Sequence, residues 1–226
     1  MQISGAVALV TGANRGLGRH FAHQLLERGA KVYATARRPE LVDLPDAHVL
    51  RLDITDPASI AAAADSAPDV TLLVNNAGLD TVTNLVTGDL ADIRREIDTH
   101  FWGTLGMIRA FAPRLGGGAI LNVLSAMSWF NYDGHTAYGA AKAAEWNLTN
   151  GVRLELAPRK TLVTALHLGV ADTDMSRDHE GPKADSAVVV RAALDGLEQD
   201  RIEVVADEWS AHVKASLAAD PSAFYG

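Results

Sequence analysis

Short apolar runs alternate with longer stretches of helical periodicity along the whole chain. Strand-like runs recur at Ala6–Val10, Lys31–Ala36, His48–Leu52, Thr71–Asn75, Ala119–Leu124, Thr161–Leu168 and Ile202–Ala206. Between the first two, Phe21, Leu25 and Leu26 follow helical spacing, and that stretch ends at Gly29. A second helix starts at Asp56-Pro57, an N-cap acid followed by proline at the first helical position. Others are expected over Asp89–Leu115, Thr136–Ala157, Ala184–Gln199 and Asp207–Ala218, the last with Trp209, Val213 and Leu217 on one face. Such alternation predicts an α/β fold: right-handed crossovers and a doubly wound parallel sheet of about seven strands, with helices on both faces. No composition break or repeat marks a second domain, so residues 1–226 are expected to form one.

Composition narrows the function. The 226 residues are 48% apolar, enough for a substantial core. A formal charge of −8 argues against nucleic acid or an anionic membrane as the main partner. No run resembles a membrane span, and Met1 to Gly5 leads straight into the first strand without room for a signal peptide. Cysteine is absent and the eight histidines show no ligand spacing, so no metal site is expected. These features fit a cytoplasmic protein.

The candidate chemistry lies in two places. The first strand leads into TGANRGLG, where Gly12, Gly16 and Gly18 open a helix. Glycines there let the backbone turn sharply and let a phosphate approach the helix amides without a Cβ between them. Tyr138 and Lys142 lie four residues apart, just over one helical turn, and so share a face; Ser125 ends the strand-like run before them. A free phenol has a pKa near ~10, and lowering it by roughly three units takes about 4 kcal/mol of differential stabilisation. A lysine and a nicotinamide cation beside it are the candidate sources, with Ser125 holding the oxygen that exchanges the proton.

TGANRGLG, NNAG at Asn75 to Gly78, and the Ser125, Tyr138, Lys142 set together resemble the short-chain dehydrogenase/reductase superfamily, over about Val7 to Met175. The resemblance implies a Rossmann-like sheet in the order 3-2-1-4-5-6-7. It also implies a nicotinamide cofactor, hydride transfer at a carbonyl carbon, and a small carbonyl or alcohol substrate. Ser125 would then polarise the carbonyl oxygen and Tyr138 would exchange its proton. Lys142 would lower the tyrosine pKa and hold the nicotinamide ribose. For the cofactor the resemblance names Gly12, Asn14, Arg15, Gly16, Leu17 and Gly18. Further along it names Asp53 and Ile54 at the adenine, Asn75, Asn76, Ala77 and Gly78 in a segment that steadies the sheet and packs beside the adenine ribose, and Gly169 and Thr173 at the nicotinamide. In place of the usual proline-glycine the chain has Leu168-Gly169.

The second strand ends in Ala36 where an NAD-selecting acid is expected, and Arg37 and Arg38 follow, with Arg15 in the glycine turn. Arginine suits a 2′-phosphate, so NADP(H) is expected over NAD(H). The family's asparagine, in Asn-x-x-Gly, is replaced by His100 in HFWG. A histidine ring can preserve the local helix distortion, or the relay is altered. A non-catalytic NADP(H)-binding regulator is the alternative function. Trp129, Phe130, Tyr132 and His135 are expected to border the substrate, under a short charged lid around 170–185. The alanine-rich helix bearing Tyr138 suggests a homodimer or homotetramer.

Overall fold

The computed structural model describes residues 1–225. Its strands are β1 (Val7–Thr11), β2 (Lys31–Ala36), β3 (His48–Arg51), β4 (Leu72–Asn75), β5 (Ala119–Val123), β6 (Leu162–His167) and β7 (Glu203–Val205). They form one parallel sheet in the order β3-β2-β1-β4-β5-β6-β7, as the resemblance implied. The strands are near-continuous apolar runs because both faces are covered. On one face Val10, Val32, Leu121 and Leu166 pack with Phe21 and Leu25 of α1 (Gly16–Glu27) and Val190 and Leu194 of α6 (Ser186–Glu198). The alternate residues Leu9, Leu73, Ile120 and Val163 point the other way. They meet α2 (Pro57–Ser66), α4 (Thr104–Phe111) and α5 (Thr136–Leu156). Phe111 is fully buried in that second layer, worth about 2–3 kcal/mol of apolar transfer.

Caps set the helix starts. Asp56 accepts from the Ala58 amide, and Asp185 accepts from those of Ala187 and Val188. Asp207 does the same for Ser210 at the start of α7 (Glu208–Ser216). The predicted α7 face divides: Val213 is buried, whereas Trp209 and Leu217 stay half-exposed. A short α8 (Ser222–Tyr225) follows.

The largest departure is at Asp89–Leu115, which is not one continuous helix. It runs as α3 (Leu90–Ile97), a π-helical turn over Asp98–Gly103, then α4, and ends in a 3-10 turn, Ala112–Arg114. The apolar periodicity is nearly the same on either side of a π-turn, so the pattern did not reveal it. That turn carries His100 to the end of the sheet where the glycine turn lies. Among the described residues no helix is long and apolar enough to cross a membrane.

Candidate active site

At the carboxyl ends of the strands lies a cleft of about 960 Å³. Its floor is the turn between β1 and α1. Gly12 and Gly16 have φ of +68° and +51°, a region that favours glycine. A Cβ on Gly18 would stand 2.1 Å from the Gly12 carbonyl oxygen, so only glycine lets helix and turn approach. Arg15 caps α1 without a side-chain acceptor, and Asn14, Arg15, Gly16 and Leu17 line the cleft. The helix start therefore offers amide dipoles to an anion there, which fits a dinucleotide pyrophosphate. Thr11 fixes the neighbouring wall. Its hydroxyl accepts from the amides of Asn76 and Ala77, both at 2.9 Å, while Asn76 Nδ2 donates to the Thr11 carbonyl.

Two residues assigned to the cofactor do not reach the cleft. Gly18 packs beneath Gly12, and Asn75 is buried in the sheet, where its Nδ2 donates to Asn122 Oδ1 at 2.8 Å. Asn76, the second asparagine of NNAG, lines the wall in place of Asn75.

Exposed Arg37 and Arg38 follow β2 and border the cleft with Asp53 and Ile54. Asp53 Oδ1 accepts from the amide and hydroxyl of Thr55. Partial burial acts to raise its pKa, but those hydrogen bonds, with Arg37 and Arg51, hold it below the usual carboxylate value. Arg15 pairs with Asp174 at 3.2 Å.

Farther in, Ser125 lies just beyond β5, and Tyr138 and Lys142 project from the first two turns of α5. All three line the cleft, and the Ser125 side chain stands close enough to Tyr138 to act on its proton. Lys142 Nζ lies 5.8 Å from the tyrosine ring centroid. It donates to the Val123 carbonyl at 2.9 Å and to Glu145 Oε2 at 2.8 Å. Burial, then Asp80, push the Tyr138 pKa up against the Ser125 hydrogen bond, and Glu145 and Glu96 add to the rise. The expected lowering is thus absent, because burial of the phenol outweighs the Ser125 hydrogen bond and the neighbouring carboxylates reinforce it. Glu145 was missed in the sequence, although it lies in one buried stripe with Ala137, Ala141, Thr149 and Val152.

His100 is not a surface residue: its side chain is 1% exposed. Nε2 lies 2.8 Å from the Leu79 carbonyl oxygen, and the ring stands edge-on to Tyr138 with centroids 5.4 Å apart. A Cβ on Gly78 would come within 2.7 Å of His100 Cε1, so the last glycine of NNAG makes room for the imidazole.

The glycine turn, the NNAG wall and the Ser125, Tyr138, Lys142 set are thus joined in one cleft. A family model described as short chain dehydrogenase matches residues 6–183. The chain belongs to this family. It is an oxidoreductase acting on CH–OH and C=O groups. It is similar to the NADPH-dependent 1-acyldihydroxyacetone phosphate reductase of Schizosaccharomyces pombe, with 32% identity over 191 residues. That match takes in 80% of this chain and 64% of the relative's length. A 3-oxoacyl-acyl-carrier-protein reductase of Vibrio cholerae is 31% identical, covering 78% of each chain. Among solved structures, a short chain dehydrogenase of Burkholderia cenocepacia in complex with NADP has 41% identity and a TM-score of 0.95, over 100% of this chain and 98% of that one.

In this short-chain dehydrogenase, Gly169 and Thr173 both border the cleft. Gly169, after the unusual Leu168, donates its amide to Asp207 Oδ2 at 2.6 Å, which ties the loop to the start of α7. Thr173 packs its methyl group toward Gly16 and caps a 3-10 turn, Asp174–Ser176. Segment 170–184 is closed at its base by paired Ala171 and Ala184. Phe130, Tyr132 and His135 line the open end of the cleft, where Met175 and Trp209 join them. Trp129 does not: its ring stacks on His167 at 3.9 Å and meets Trp146 edge-on. His135 Nδ1 lies 2.6 Å from Asp80 Oδ2, one polar pair in this otherwise largely aromatic wall.

Proposed function

We propose that this short-chain dehydrogenase is an NADPH-dependent carbonyl reductase, running in reverse as a secondary-alcohol dehydrogenase. The meeting of Ser125, Tyr138 and Lys142 beyond a dinucleotide-shaped floor carries the reading. Gly12, Asn14 to Leu17, Asp53, Ile54, Ala77, Gly78, Gly169 and Thr173 would hold the coenzyme. Arg37 and Arg38 would face its 2′-phosphate, since planar guanidinium groups bond two phosphate oxygens together. The names of the yeast relative and of the NADP-bound Burkholderia structure support that preference. When bound, the coenzyme supplies hydride for reduction and accepts it for oxidation.

The residues of this chain handle the proton. Ser125 donates a hydrogen bond to the substrate oxygen, and Tyr138 gives that oxygen its proton as negative charge develops. A raised tyrosine pKa supports the reductive direction, because the protonated phenol is the form that reduction consumes. Lys142 binds the ribose hydroxyls and replaces the proton Tyr138 loses. The segment around 170–185 serves as a short lid, and the aromatic wall suits an apolar or ring-bearing carbonyl compound. The regulatory alternative has His100 as its best support. Its buried contacts supply the scaffold that reading took to be missing. A homodimer or homotetramer in the cytoplasm belongs to the same reading, supported by the exposed Trp102 and Leu154; a monomeric mass by light scattering would remove the oligomer.

The test is NADPH and NADH oxidation with aldehydes, aliphatic and aryl ketones, and quinones, with Tyr138→Phe beside the unaltered protein. The phenol is the only proton donor assigned to the step, so a loss of 100-fold or more, about 3 kcal/mol in the barrier, is expected. Near-full turnover by Tyr138→Phe would refute the assignment.

A further inference from the structure

Behind Lys142 the site holds more buried negative charge than one lysine can balance. Glu96 and Glu145 have side chains 0% and 2% exposed. Glu145 Oε2 accepts from Lys142, and its Oε1 accepts from the Thr104 hydroxyl at 2.8 Å. Glu96 Oε1 accepts from the amide and hydroxyl of Thr81, at 2.6 and 2.9 Å. Its Oε2 has no hydrogen-bond partner, and neither does His100 Nδ1. A buried carboxylate without a countercharge is costly enough that the protein must supply one or protonate the acid.

His100 lies between the two acids, with Nε2 3.4 Å from Glu96 Oε2 and Nδ1 3.6 Å from Glu145 Oε2. The Leu79 carbonyl at 2.8 Å calls for a hydrogen on Nε2; the Leu79 amide is more distant, at 3.5 Å. With Nε2 protonated, a neutral ring would turn its Nδ1 lone pair toward a carboxylate. A second hydrogen on Nδ1 turns that repulsion into attraction. The groups facing the ring come from α3 (Glu96), from α5 (Tyr138, Lys142 and Glu145) and from the segment after β4 (Leu79). Asp80 on that segment acts on Tyr138. With one lysine and two carboxylates around it, a neutral His100 leaves the cluster at −1 and an imidazolium brings it to zero.

We propose that His100 is a positioning residue held as an imidazolium between Glu96 and Glu145, balancing the buried carboxylates so that the Lys142 charge acts on Tyr138. Burial and Lys142 both oppose charge on the ring, yet the two carboxylates outweigh them and hold its pKa above the ordinary histidine value. The uncharged asparagine usual here could not do this, and the two glutamates account for a histidine in its place. The charge state stands independently of the reductase reading; only its kinetic consequence rests on that reading.

Two measurements test it. In protein labelled with ¹⁵N-histidine, the His100 signals, assigned by their loss in His100→Asn or His100→Gln, should show both ring nitrogens protonated at pH 7–8. A neutral ring in that range overturns the proposal. The second measurement is the pH profile of NADP⁺-dependent alcohol oxidation, which requires Tyr138 deprotonated. His100→Asn should move its alkaline rise upward by about one unit, since an uncompensated anion beside an acid raises its pKa. Adding Glu96→Gln to His100→Asn should bring it back, a reversal that loss of packing alone would not give. An unmoved profile in an active His100→Asn also overturns the proposal. An imidazolium in a protein without turnover would support the charge assignment and count against the reductase reading instead.

Discussion

His167 ends β6 directly beneath Ser125. Its Nδ1–H donates to the Ser125 carbonyl at 3.0 Å, the Trp129 ring lies flat against it, and Nε2 has no hydrogen-bond partner. Burial pushes its pKa down from 6.5 to about 4, against the Ser125 hydrogen bond and with help from Lys214, Lys142 and Arg153. The folded protein therefore takes up this proton only near pH 4, whereas the unfolded chain does so near 6.5. Between those values the unfolded state binds more protons, so stability falls as the pH drops through the window. From pH 7.5 to 5.0 the linkage amounts to about 2 kcal/mol from this one ring. Urea unfolding at both pH values, at fixed protein concentration, should show that loss in excess of the loss in His167→Asn. The asparagine amide can still donate to the Ser125 carbonyl, and the other titrating groups are common to both proteins. Equal losses in the two proteins would refute the assignment of a buried neutral histidine.

Arg37→Ala should raise the Michaelis constant for NADPH about tenfold, the equivalent of one charge-assisted hydrogen bond of ~1.5 kcal/mol, and leave that for NADH unchanged. Steady-state kinetics with both coenzymes checks this, and an unchanged NADPH constant would assign the arginine to solvent. Phe130→Ala should change the Michaelis constant for the carbonyl substrate. Trp129→Ala should leave that constant alone and cost about 2 kcal/mol or more in urea unfolding, because its indole packs on His167 rather than in the cleft.

The strands, the glycine turn and the Ser125, Tyr138, Lys142 set were legible in the sequence because each depends on local pattern, whereas the strand order came from the family resemblance. A strand buried on both faces must be an apolar run, a positive φ calls for glycine, and a four-residue spacing puts two side chains on one helical face. The direction of an aromatic ring in a loop carries no such mark. Trp129 and Phe130 are neighbours in sequence, yet one stacks on His167 and the other borders the cleft. Asn75 and Asn76 divide in the same way, one into the sheet and one to the wall. The setting of His100 was also hidden. Glu96 comes from α3 and Glu145 from α5, and only the π-turn between α3 and α4 brings the imidazole between them. The chain by itself thus marked the strands, the glycine turn and the candidate side chains of the cleft. The tertiary structure decided the electrostatics, because a pKa depends on charges gathered from distant segments and on how far packing removes them from water.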